Sequence, residues 1–183
     1  MDEITLKPRD VLDFWLAAGR DQWFAKNEAF DQTITQRFKK LWQKALAGRL
    51  NHWSDDDEGL MALILILDQF PRNMFRDDAR AFCSDKQAKK FTEKALNISL
   101  DKRVDPSLRG FIYLPLEHSE HIDDQTRSLE LFQKLGNDSM LSYAQLHYDI
   151  IAKFGRFPHR NKALGRITTP QEQDFLDNGG FKG

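Results

Sequence analysis

Apolar side chains recur three and four residues apart along most of the chain, the spacing that collects them on one face of an α-helix. Pro8 suits a first helical position, with Val11, Leu12, Trp15 and Leu16 following at helical spacing and Gly19 as a stop. Trp23 and Phe24 fall in a short connection, and both are expected to turn back into the core. Glu28 to Leu46 is the clearest amphipathic stretch. Phe30, Ile34, Phe38, Leu41, Trp42, Ala45 and Leu46 share a stripe, while Lys39, Lys40 and Lys44 lie off it and Gly48 ends it. Further helices are expected over Asp77 to Leu100, over Asp105 to His121 with Asp105 as cap, from Asp123 to Gly136, and from Ser142 to Phe154. Thr169, Pro170 and Glu172 form a capping box for a last short one. Sustained period-two alternation and hairpin turns are missing, so strands are not expected. The pattern is all-α, about eight helices with antiparallel neighbours, arranged as a solenoid of pairs or as a globular bundle.

One stretch breaks the amphipathic rule. Leu60 to Leu67 is eight apolar residues in a row, so this helix is buried all round. It is too short to span a bilayer, which takes about 20 apolar residues. Ser54 with Asp57 resembles a capping box at its start. Its far end turns abruptly polar: Asp68, Gln69, Phe70, Pro71, Arg72, Asn73. Pro71 biases Phe70 away from helical angles, which predicts a stop there. Asp68 meets the negative end of the helix dipole, and Arg72 is the nearest compensating cation.

With 183 residues and no linker-like segment, one domain spanning 1–183 is expected. The net charge of −1 gives no global pull toward nucleic acid or membrane. Cys83, the only cysteine, excludes an internal disulfide or a multi-cysteine metal cluster, and it reads as a buried apolar residue. The opening MDEITLKPRD lacks the apolar core of a secretory signal, and a cytoplasmic protein is expected.

Candidate chemistry collects in three places besides the Asp68–Asn73 cluster. Stepping the 105–121 helix at about 100° per residue puts His118 and Ser119 within its apolar arc, Glu120 at the edge, and Glu117 and His121 outside. Pro115 removes a hydrogen bond to the Phe111 carbonyl. On the 142–154 helix, Tyr143, His147, Ile150, Ile151 and Phe154 share a face. A buried imidazole without a partner costs about 1–3 kcal/mol, so His118 and His147 each need an acceptor, an ion or a ligand; Glu120, Asp68 and Ser119 are the internal options. The third place is the irregular loop Arg156 to Arg166. Arg156, His159, Arg160, Lys162 and Arg166 crowd it, interrupted by Phe157, Pro158 and Asn161, with Phe157 as anchor and Pro158 as stiffener. Forked guanidiniums there suit carboxylate or phosphate oxygens; the plainer alternative is a cationic surface loop answering Asp55, Asp56, Asp57 and Glu58.

Phosphate-loop, dinucleotide, nucleophile-elbow and zincin motifs are all missing from the sequence, so no cofactor is expected. No metal is expected either. Glu117, His118, Glu120 and His121 lack the Glu-x-x-His spacing of di-iron bundles, and only Glu117 and His121 share a face.

The blocks LDQFPRNMFR, FIYLPLEHSE and FGRFPHRNKALGRITTPQEQDFL, with DVLDFW and the Trp23–Phe24 pair, resemble the signature blocks of the uncharacterised bacterial domain-of-unknown-function family 924. Thr168 stands where those blocks lead one to expect Ser, and the hydroxyl is kept. The resemblance implies a tetratricopeptide-repeat-like fold, a right-handed superhelix of antiparallel helix pairs, and no established activity. It carries over onto Asp68, Gln69, Arg72 and Asn73; onto Glu117, His118, Ser119 and Glu120; onto His147; and onto Arg156, His159, Arg160 and Asn161.

These residues support three readings. In the first, a groove binds a small anionic ligand: His118 or His147 serves as acid or base, Glu120 orients one of them, and arginines clamp a phosphate or carboxylate. Asp68, Arg72, Asn73, Ser119, Arg156, His159, Arg160 and Asn161 complete that site. In the second, the chain is a peptide-binding module that grips an acidic C-terminus without catalysis. In the third, the polar residues are core staples only.

Overall fold

The computed structural model of the protein describes residues 6–183; residues 1–5 of the acidic opening lie outside them. All regular structure among the described residues is helical. Nine α-helices run in the order α1 (Pro8–Ala18), α2 (Arg20–Trp23), α3 (Glu28–Leu46), α4 (Asp57–Met74), α5 (Asp85–Asn97), α6 (Arg109–Glu117), α7 (Ile122–Leu135), α8 (Asp138–Phe154) and α9 (Pro170–Asp177). Backbone packing divides the chain into two compact units. Residues 6–76 and 80–115 form the first; residues 77–79 and 116–183 form the second.

In the first unit α1, α3 and α5 each pack on α4. Leu60 to Leu67 are at most 1% exposed, as an apolar run with no wet face requires. The start of α4 differs from the capping box read in the sequence. Asp56 is the cap, accepting from the Gly59 N–H at 2.7 Å, while Ser54 lies in the preceding 3-10 turn and donates to the Asn51 carbonyl. Gly59 is required by a close approach, because a Cβ there would collide with the Trp53 carbonyl. At the other end α4 does not stop at Phe70; it carries Pro71 and continues to Met74. Proline cannot donate to the carbonyl four residues back. That carbonyl, on Leu67, instead accepts the Ser84 hydroxyl at 2.6 Å, and Ser84 in turn accepts from Trp42 Nε1 at 3.3 Å. A side chain from beyond the helix thus removes the penalty that the local sequence signals.

Other boundaries shift for similarly local reasons. The helix expected over 77–100 begins only at Asp85, after Asp77 takes a left-handed φ of 60° and a 3-10 turn covers Ala79–Ala81. Asp105 does not cap α6; its carboxylate accepts from the backbone and hydroxyl of Ser107, and the helix starts at Arg109. Conversely α8 begins before Ser142, capped by Asn137 on the Met140 N–H. Trp23 is half-buried and donates to the Trp15 carbonyl at 2.7 Å, but Phe24 is 55% exposed. Cys83 is exposed as well, not buried.

The second unit pairs α7 with α8, which Gly136 and Asn137 connect, and seats α9 on a 3-10 turn at Pro158–Arg160. Ile150, Ile151 and Phe157 form a small core on which Phe154, Phe175 and Phe181 pack. Tyr143, placed on the inward face of its helix by spacing, is 54% exposed. No helix of the described residues is long and apolar enough to cross a membrane.

Candidate functional site

The first-unit cluster is a set of helix ties. Asp68 is fully buried, accepts from Gln69 Nε2 at 2.6 Å, and lies 3.4 Å from Arg72 Nη1. Arg72 also donates to the Asp68 carbonyl and forks onto both oxygens of Asp85, at 2.9 and 3.0 Å, linking α4 to α5. Asn73 donates to Asp31 at 2.8 Å, and Arg76 forks onto the same carboxylate, linking α4 to α3. The acids expected to meet the cationic loop are paired within this unit too: Asp57 with Arg103 and Glu58 with Arg9.

The second unit gathers the remaining candidates around the end of α6. A helix leaves its last carbonyls without partners. Here side chains take the carbonyl of its last residue, Glu117, and those of the two residues that follow. Gln125 Nε2 donates to the carbonyls of Glu117 and Ser119, and Arg160 Nη1 donates to that of His118 at 3.1 Å. The Ser119 hydroxyl donates to Asp124 at 2.5 Å, in the first turn of α7. These bonds fix the turn that aims Glu117 and His118.

His147 lies on α8 and is 5% exposed. Its Nδ1 is 2.8 Å from the Tyr143 carbonyl and 3.4 Å from Glu117 Oε1. A carbonyl can only accept, so Nδ1 carries the proton and Nε2 keeps the lone pair in the neutral ring. The buried Glu117 carboxylate stands beside the same nitrogen. The His118 ring lies 6.4 Å from the His147 ring, centroid to centroid. Phe157 and Phe181 pack edge-on against His147 at 5.3 and 4.8 Å, and the same two rings contact His159. The buried Arg160 guanidinium lies over Phe157 at 4.4 Å, a cation–π contact.

The other arginines of the loop are committed to carboxylates. Arg156 forks onto Glu172 at 2.6 and 2.9 Å, and Arg166 forks onto Glu120 at 2.8 and 3.0 Å. Glu120 also accepts from the Phe157 N–H. Burial pushes its carboxyl up, but the Arg166 fork, the Phe157 N–H and the charges of Arg166 and Arg160 outweigh that and hold it below its ordinary value. Glu120 therefore clamps the loop, while Glu117 stands beside His147. Glu172 is lowered to about 2, chiefly by its hydrogen bonds from Arg156, with the Thr169 N–H of the capping box assisting against burial. Asn161, fully buried, donates to Glu172 at 3.2 Å and to the Thr168 hydroxyl at 3.4 Å.

His118, His147, His159 and Arg160 are thus brought into one neighbourhood of the second unit; Arg156, Asn161, Ser119 and Glu120 frame it. Residue spacing missed two participants, of which Glu117 entered only among the residues that the family resemblance carries over. Glu117 fell outside the apolar arc because that arc assumed a helix running to His121, whereas α6 ends at Glu117 and α7 and α8 cover its last turn. Gln125 carried a legible signal: with Ser128 and Phe132 it shares the buried face of α7, where a glutamine is out of place. An open cleft of about 450 Å³ lies elsewhere in this unit, between α7 and α8, lined by Leu129, Gln133, Asp138, Leu141, Ser142 and Gln145.

The profile of a bacterial protein family of unknown function, DUF924, matches residues 11–180. The chain belongs to the DUF924 family. The resemblance drawn from its three sequence blocks holds over nearly the whole chain. The solved structure of a protein of unknown function from Agrobacterium tumefaciens is 43% identical, covers 94% of this chain and 97% of its own, and superposes with a TM-score of 0.90. No curated protein matches the chain.

Proposed function

We propose that the second unit binds a small anionic ligand, a phosphate or carboxylate, through Arg160, His118 and His159, with His147 as its acid or base. One observation carries this reading. A buried imidazole is held in a defined tautomer by a backbone carbonyl and backed by a buried carboxylate, while a second imidazole and a buried guanidinium stand alongside. Purely structural histidines need one acceptor each; His147 has both a carbonyl and a carboxylate at the same nitrogen. That arrangement leaves Nε2 as the nitrogen that would take or give a proton. Forks onto Glu120 and Glu172 engage Arg166 and Arg156, and Arg160 is the guanidinium that lies over Phe157, the ring that also packs on His147 and His159. Asp68, Arg72 and Asn73 are better read as ties of the first unit than as ligands, because Gln69 and Arg72 engage Asp68, a fork onto Asp85 engages Arg72, and a bond to Asp31 engages Asn73. A cytoplasmic compartment, with small phosphorylated or carboxylated metabolites at hand, fits the reading.

Thermal-shift titration with inorganic phosphate, phosphorylated sugars and citrate tests it. A reproducible stabilisation by one of these in the wild type, lost in His147→Ala and Arg160→Ala, is expected. Equal shifts in all three proteins mean that the ligand binds elsewhere.

The alternative, a tetratricopeptide-like peptide-binding module without catalysis, draws on the open cleft between α7 and α8. In that case Leu141→Arg abolishes capture of partner peptides and His147→Ala leaves it intact. The opposite pattern removes this alternative.

A further inference from the structure

The segment after α9 bears on the same imidazoles. Asn178 ends α9, and Gly179 follows with φ of 83°, a conformation that favours glycine. Gly180 donates to the Phe175 carbonyl at 2.9 Å, so close that a Cβ at this position would meet both that carbonyl and the Phe175 ring. Two successive glycines therefore fold the chain back onto α8. The last three residues are held differently. Phe181 sets its ring edge-on to His147 at 4.8 Å and to His159 at 5.1 Å. Gly183 closes against the His159 ring, where a Cβ would stand 3.1 Å from Cδ2. Among the described residues no hydrogen bond holds 181–183; ring contacts do.

We infer that Gly179–Gly183 is a lifting cover over His147 and His159, hinged at the glycine pair and latched by Phe181. This rests on the reading of His147 and His159 as site residues and adds to it how the site is opened. A hinge needs a few residues that absorb a large backbone change, and adjacent glycines do so at least cost. The ring contacts to His147 and His159 bias the closed state by about tenfold or somewhat more, and packing of Phe181 on Ile150, Ile151 and Phe157 adds to that; opening breaks these contacts alone and leaves α8 and α9 folded. Closed, it shields the imidazoles from water; open, it admits a ligand to His147.

The test is carbethoxylation of histidines by diethyl pyrocarbonate on the full chain, read residue by residue by peptide mass spectrometry. His52 and His121, both exposed, serve as references in the same sample. In the wild type, His147 and His159 react more slowly than the references, at a rate that sub-denaturing urea leaves unchanged, the mark of local opening. Phe181→Ala raises both rates by about tenfold or more and leaves the references alone, while Phe181→Tyr, which keeps the ring, stays near wild type. Equal His147 rates in Phe181→Ala and wild type overturn the inference. So does a wild-type rate that climbs with urea along the unfolding curve, a result that decides the matter even if Phe181→Ala fails to fold. A cover that lifts as described over a protein that binds no anion leaves the cover standing and removes the ligand reading.

Discussion

Ser84→Ala is the perturbation that most sharply tests why α4 runs through its proline. The Ser84 hydroxyl donates to the Leu67 carbonyl, which Pro71 cannot serve, and it accepts from Trp42 Nε1. Ser84 is fully buried, so no water replaces it readily. Leaving one buried polar group unsatisfied costs about 1–3 kcal/mol. The 3.3 Å bond from Trp42 is long and adds less. A loss of about 2–4 kcal/mol is expected in all. Pro71→Ala restores an N–H in reach of the Leu67 carbonyl, so in that background the same serine substitution costs about 1–2 kcal/mol less. Urea unfolding followed by tryptophan fluorescence reads this directly, since Trp15, Trp23, Trp42 and Trp53 all lie in the first unit. Equal losses in the two backgrounds, or a Ser84→Ala loss below about 0.5 kcal/mol, would refute the reasoning.

Three further outcomes are expected. Gly59→Ala forces a methyl into the Trp53 carbonyl and destabilises the first unit by more than about 2 kcal/mol, seen in the same fluorescence assay. Glu172 is held at about 2, below its ordinary value near 4.5. A depressed carboxyl stabilises the fold above its unfolded value and loses that contribution as pH falls toward the folded one, so amide protection of α9 and the 156–166 loop declines between about pH 4.5 and 2. Glu172→Gln weakens that protection already at neutral pH and flattens the decline. Cys83, exposed, reacts with Ellman's reagent in the folded protein as fast as in urea; a burst seen only on unfolding would place the thiol inside.

Periodicity carried the fold a long way. The stripe of α3, the all-round burial of Leu60 to Leu67 and the capping box of α9 follow from residue spacing and local chemistry, and the structure keeps them within a residue or two. Where spacing failed, a side-chain hydrogen bond that the apolar pattern does not show had intervened. Ser84 rescues Pro71 from 13 residues away, and Ser107 draws the Asp105 carboxylate into a turn. The residues of the candidate site were legible in kind, and their hydrogen-bond partners only in part. His118, His147 and Arg160 could be named because imidazole and guanidinium groups on apolar faces need partners. The assignment of partners could not be read, since Glu117 and Glu120 differ only in where the end of α6 lies. Exposure of Phe24, Tyr143 and Cys83 was hidden for the same reason: spacing gives a face, and only packing decides whether anything covers it.

The proposed site has a built-in internal control, since the chain has five histidines. Long-range nitrogen–proton NMR of the imidazoles, with inorganic phosphate and then citrate titrated in at constant pH and ionic strength, reads each ring separately. The account predicts that His118, His147 and His159 shift together along one saturating curve with one of these anions while His52 and His121 stay still. Five rings drifting in parallel without saturation, or none moving, would contradict it.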